Sequence, residues 1–222
     1  MSVREGQPVV FLSMAGCGIE FLQRGFEQSP VLRTAADFRN GGQEDFAELD
    51  SPGQQSALFE NYGLSWNQQT SSFETQALGD AVFNWLSQQQ CPVVHCVRSN
   101  ALDCLASLMT SCEVPSIPSE DAVGLIEDLK KQVDRVRSQL RDANFLELRL
   151  EQLVSSDGKV IPRTISQICS FTGIEFSSLN LEHFAPPETT NTRYDIAKIK
   201  RALRPDLTRR GWENLFELPK AA

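Results

Sequence analysis

Residues 92–109 constrain this chain more than any other stretch. Val93, Val94, Cys96 and Val97 form a short apolar run that ends abruptly in Arg98. Ser99 and Asn100 make a two-residue polar turn, and 101–109 reads as a helix. A buried strand followed at once by a helix belongs to an α/β architecture. The strand delivers a guanidinium to its C-terminal tip, beside a helix start with free backbone N–H groups, which is a natural phosphate site. Ser107 lies about two helical turns beyond Asn100, within reach of a large anion. The pattern points to a phosphorylated ligand.

The N-terminal segment repeats the theme. Residues 8–14 read as a first buried strand, 15–18 as a turn containing Gly16 and Gly18, and 19–28 as a helix ending near Ser29 and Pro30. Strand, glycine turn and helix together open a βαβ nucleotide-binding unit. From residue 39 to 75 the chain is rich in Gln, Ser and Gly, yet carries Phe46, Phe59, Tyr62, Trp66 and Phe73. It reads as an ordered polar insertion, around 40–75, or as a substrate-side region.

A helix is predicted over 75–89, with Leu78, Val82, Trp85 and Leu86 on one face. After a break at 114–118, Ser119 caps a long helix with Glu120 and Asp121 in its favourable first turn. Its apolar positions, Ala122, Ile126, Leu129, Val133, Val136 and Leu140, step by four and three. That spacing packs a helix along its own domain; pairing with a second copy, in a homodimer, is the alternative. A strand over 145–150, a helix over 161–172 stopping at Gly173 and a basic helix over 196–203 complete the order. The expected fold is a three-layer α/β sandwich with a mostly parallel sheet, built as one domain over 1–222.

A net charge of −8 argues against a general nucleic-acid binder, which needs clustered cations. Positive charge is nevertheless concentrated late in the chain, at Lys198, Lys200, Arg201, Arg204, Arg209 and Arg210, so a local basic site on an acidic protein is expected. No apolar run is long enough to span a membrane, and the N-terminus lacks a signal-peptide pattern, which together predict a cytoplasmic protein. The six cysteines have no CxxC spacing and there are only two histidines, so free, mostly buried thiols and no metal site are expected.

Three segments, in order, resemble the sulfotransferases that use 3′-phosphoadenosine 5′-phosphosulfate. Residues 94–107 are similar to the family's 3′-phosphate motif: a strand ending in Arg, then Asn, then a helical Ser. Residues 145–154 resemble its "lrYEdLv" strand, with Glu151 and Leu153 near the end, and Phe171 and Gly173 match a later "F-L-G". Residues 9–30 run like its first strand, 5′-phosphosulfate loop and helix. The resemblance implies a P-loop-like sulfotransferase fold, with the co-substrate 3′-phosphoadenosine 5′-phosphosulfate held at Arg98, Ser107, Gly16 and Gly18.

The departures are specific. Where the family's loop has a cation and paired hydroxyls, this chain has Gly16, Cys17, Ile19 and Glu20, keeping only Gly18. The Arg98-to-Ser107 spacing is one residue longer than usual.

Each residue also has a plainer reading. Arg98 pairs with Asp103 or Glu113, Asn100 caps the helix, Ser107 packs as a small residue, and the glycines serve the turn. His95 reads as a core histidine and His183 as a surface one. Glu20, Glu44 and Asp45 are carboxylates on the expected acceptor side, and no catalytic base stands out. With no GxxxxGK[ST] sequence, a P-loop kinase is disfavoured. The expected function is sulfuryl transfer to a hydroxyl or amine on a small molecule or glycan. The alternative is a catalytically inactive binding or assembly module, which the depleted loop favours.

Overall fold

The computed structural model describes residues 7–17, 19–28, 32–35, 55–155, 159–184, 190–209 and 211. Strand β1 (Val9–Met14) is buried along its whole length, as a run apolar at every position but the small Ser13 demands. After it come α1 (Glu20–Glu27), β2 (Leu32–Ala35), β3 (Gln55–Asn67), β4 (Ser72–Gln76) and α2 (Asp80–Gln89). The second half holds β5 (Val93–Val97), α3 (Ala101–Ser111), α4 (Ser119–Gln139), β6 (Phe145–Arg149), α5 (Leu150–Leu153), α6 (Pro162–Thr172) and α7 (Thr190–Arg209).

The sheet runs β2-β3-β1-β5-β6 with every neighbouring pair parallel, and β4 pairs antiparallel with the far half of β3. Alternation along each strand sorts side chains to two cores. Val10, Leu12, Met14, Val93 and Val97 face α2, α3, α4 and α7. Val9, Phe11, Val94 and Cys96 face α1 and α6, where the Phe11, Phe26 and Phe59 rings cluster. This is the three-layer α/β sandwich expected from the sequence.

Several boundaries follow from local chemistry. Pro162 opens α6 at a position where its missing N–H costs nothing, and Gly173, with φ of 75°, closes it in the left-handed region. The helix expected from 75 begins only at Asp80, because Ser72–Gln76 pairs with β3. The basic helix expected over 196–203 extends over Thr190–Arg209. Ala122, Ile126, Leu129, Val133, Val136 and Leu140 are all buried in the chain's own core, which leaves that stripe unavailable to a second copy.

The segment around 40–75 needs a correction. Residues 55–67 are β3, hydrogen-bonded between β2 and β1, so this part is a member of the sheet and not an insertion; 40–54 lie outside the described residues. The strand hides in the sequence because two of its buried positions, Ser56 and Glu60, are polar.

A polar chain crosses the core on the α4 side of the sheet. The Tyr62 hydroxyl lies 2.5 Å from His95 Nε2, and His95 Nδ1 lies 3.1 Å from Glu147 Oε2. Arg137 on α4 then holds both Glu147 oxygens, each at 2.7 Å. Burial alone would raise the Glu147 carboxyl, but the hydrogen bonds from Arg137 and His95 outweigh it and hold it at about 2. An ionised Glu147 only accepts, so His95 Nδ1 carries the proton and Nε2 accepts from the Tyr62 hydroxyl. His95 is thus the core histidine expected from the sequence, its pKa lowered by burial against the opposing pull of Glu147.

Both shifts destabilise the fold in acid. Glu147 has its folded pKa below the free value, so its contribution is full above about pH 4.3 and disappears as the pH falls towards 2. His95 is lowered too, so the unfolded chain takes up a proton that the folded one resists once the pH drops below about 6.5. Urea unfolding should show wild-type stability declining from neutral pH into acid, with a flatter acid limb in Glu147→Gln. At neutral pH Glu147→Ala should cost about 2–3 kcal/mol, since it strips the fully buried His95 and the half-buried Arg137 of their shared partner.

Candidate functional site

β1 is where the chain reverses direction across the sheet. It leaves β1 through α1 on one face towards β2 and β3, and later reaches β5, on β1's other side, through α2 on the opposite face. The loops after β1 and β5 therefore diverge, and the crevice at such a switch point is where open α/β sheets bind ligands. The register pairs Ser13 with Cys96, so the turn after Met14 and the arginine after Val97 stand side by side.

The turn is held tightly. The Ala15 N–H donates to the Tyr62 carbonyl at 2.7 Å, and the Cys17 N–H to the Met14 carbonyl at 3.1 Å. Gly16 has φ of +78°, and a Cβ there would lie 2.4 Å from the Cys104 carbonyl oxygen of α3. Glycine is thus required by both the backbone conformation and the close approach. Cys17 and Cys104 are both buried, and burial, with Cys17 adding to it, pushes the Cys104 thiol well up. Cys17 and Ile19 are buried, while Glu20 is exposed in the first turn of α1. Gly18 lies outside the described residues.

At the tip of β5, Asn100 caps α3: its side-chain oxygen accepts from the Leu102 N–H at 2.9 Å and the Asp103 N–H at 3.2 Å. Arg98 is half-buried and donates from Nη1 to the Asp103 backbone carbonyl at 2.8 Å. Among the described residues no carboxylate pairs with it, so the expected alternative, an ion pair with Asp103 or Glu113, is not formed. The Asp103 carboxylate instead pairs with Lys200 of α7. Ser107 is half-buried, stands one turn beyond Asp103 on the same face, and its hydroxyl has no protein partner among the described residues.

Glu151, in the short helix α5 that follows the neighbouring strand β6, secures the tip. It accepts from the Ser99 N–H at 3.2 Å and from the Ser99 hydroxyl at 3.2 Å. The structure therefore brings Gly16, Arg98 and Ser107 to one helix, α3. His183 is exposed, in a short turn packed on α1. Glu44 and Asp45 lie outside the described residues. Sequence reasoning did not single out Asp103 paired with Lys200, because nothing in the chain's local pattern links residues so far apart.

No protein-family model matches the chain, and no curated protein matches it. Among solved structures, the mouse sulfotransferase SULT7A1 complexed with PAP is similar, with a TM-score of 0.54 at 17% identity, over 82% of this chain and 63% of that one. The chain thus spans less than two thirds of that structure's length. A sulfotransferase from Alicyclobacillus acidocaldarius has a TM-score of 0.49 at 10% identity, over 94% of this chain and 99% of that one. The chain has the sulfotransferase fold.

Two substitutions test the local architecture. Gly16→Ala should cost about 1–3 kcal/mol, from the left-handed conformation and the collision with the Cys104 carbonyl, read as a lowered urea midpoint. Asn100→Ala should cost about 1 kcal/mol through loss of the cap, with the fold intact by circular dichroism.

Proposed function

We propose that this chain binds 3′-phosphoadenosine 5′-phosphosulfate and transfers its sulfuryl group to a hydroxyl or amine on a small molecule or glycan. The observation that carries the reading is Arg98. It stands at a switch-point strand tip where, among the described residues, its one partner is the neutral Asp103 carbonyl of α3 and the Ser107 hydroxyl on that helix has none. A guanidinium with spare donors and a nearby hydroxyl suit a phosphomonoester, here the 3′-phosphate. The likeness to a sulfotransferase complexed with PAP supports the same assignment. Gly16 and Gly18 would border the 5′ side through the backbone of the turn. In the transfer, the S–O bond to the donor's phosphate breaks as the acceptor O–S or N–S bond forms, and the acceptor proton leaves to a base.

A second reading, donor binding without transfer, is favoured by the turn itself. Among its described residues Cys17 and Ile19 are buried, Gly16 has no side chain, and Glu20 adds negative charge where a leaving phosphate needs positive. A reducing, cytoplasmic setting is proposed for either reading. All six cysteines are free, five of them buried, and burial pushes Cys91 and Cys96 to about 12.

Calorimetric titration with 3′-phosphoadenosine 5′-phosphate should give saturable binding that Arg98→Ala weakens by about tenfold to a hundredfold. Absence of binding by the wild type would sink both readings. Radiolabelled sulfuryl transfer to a panel of hydroxyl and amine acceptors separates them: label transferred supports the enzyme, and nucleotide binding without transfer supports the binding module.

A further inference from the structure

The first turn of α3 gathers more charge than the proposed nucleotide site accounts for. Asp103 is its hub: its carbonyl accepts from Arg98, its carboxylate pairs with Lys200, and its neighbour Cys104 abuts Gly16. Helix α7 reaches this point by burying Ile199, Leu203 and Leu207 in the core shared with α3. Of the cations at 198, 200, 201, 204 and 209, Lys200 alone is half-buried, and the others are exposed. Lys200 is thus placed by packing, not left to find a partner in solvent.

A carboxylate at this position opposes a phosphate twice over. It repels the anion directly, and, left bare, it lies next to the guanidinium whose spare donors the anion needs. An Asp103 free of Lys200 would turn to Arg98 and form the ion pair that is not made among the described residues. Neutralised by Lys200, it leaves Arg98 engaged, among the described residues, with the carbonyl alone and available to a ligand.

We infer that Lys200 is a positioning residue for the Arg98 site: by holding the Asp103 carboxylate, it keeps Arg98 free to bind a phosphomonoester. The inference rests on the nucleotide reading above and adds a role for a residue that need not touch the nucleotide.

The test is titration of 3′-phosphoadenosine 5′-phosphate into wild type, Lys200→Met, Asp103→Asn, the double variant and Lys200→Arg, at low and moderate salt. Lys200→Met should weaken binding about tenfold, and Asp103→Asn in the same chain should restore it to within about twofold of wild type. Lys200→Arg should bind like wild type. A double variant that stays as weak as Lys200→Met would overturn the inference in favour of direct contact between Lys200 and the ligand. Unchanged affinity in Lys200→Met would overturn it while leaving the nucleotide reading standing. A wild type that binds no nucleotide overturns both.

Discussion

The hydrogen-bonded chain from Tyr62 through His95 and Glu147 to Arg137 fixes more of this fold than any apolar contact does. It ties β3, β5, β6 and α4 together across β1, whose Leu12 belongs to the same core. Apolar side chains tolerate exchange of neighbours, whereas a buried phenol, imidazole and carboxylate each need a partner of the right kind. A slip of one residue in any of the three strands would turn its polar member to the opposite face of the sheet. The same Tyr62 also accepts the Ala15 N–H, so the turn beside Arg98 hangs from a residue whose place is set by the network.

Much of this arrangement was legible in the sequence, and for definite reasons. The strands β1 and β5 are apolar runs interrupted only by Ser13 and His95, α4 keeps its apolar spacing for five turns, and Asn100 is a helix cap by chemistry alone. His95 announced itself as a core residue by sitting inside a strand with no polar neighbour on either side. What was hidden shares a different property. β3 looks polar because Ser56 and Glu60 are buried in it, and the strand is identifiable only once its neighbours are in place. Likewise Asp103 and Lys200 come together through the docking of α7 on α3, a tertiary event with no local signature.

The two halves of the candidate site differ in kind. At the β5 tip, Arg98, Ser107 and Asn100 are polar and oriented, with Glu151 bracing the adjacent Ser99. At the turn after β1, the described residues serve packing: Gly16 lies close against the Cys104 carbonyl, and the Cys17 and Ile19 side chains are buried in the core. A fold can keep the geometry of a binding crevice while one wall loses its chemical groups, and fold alone does not decide what such a protein does. The asymmetry here makes recognition of an anion better supported than the reaction of one.

A guanidinium held by a backbone carbonyl is immobilised without being neutralised. An arginine in solvent gives up about 2 kcal/mol of rotamer freedom when a ligand captures it. In Arg98 much of that loss has already been taken by the fold, through one hydrogen bond to a rigid helical turn. Whatever anion arrives at the β5 tip meets a stationary charge, so its affinity is governed by desolvation and fit more than by the ordering of the side chain that receives it.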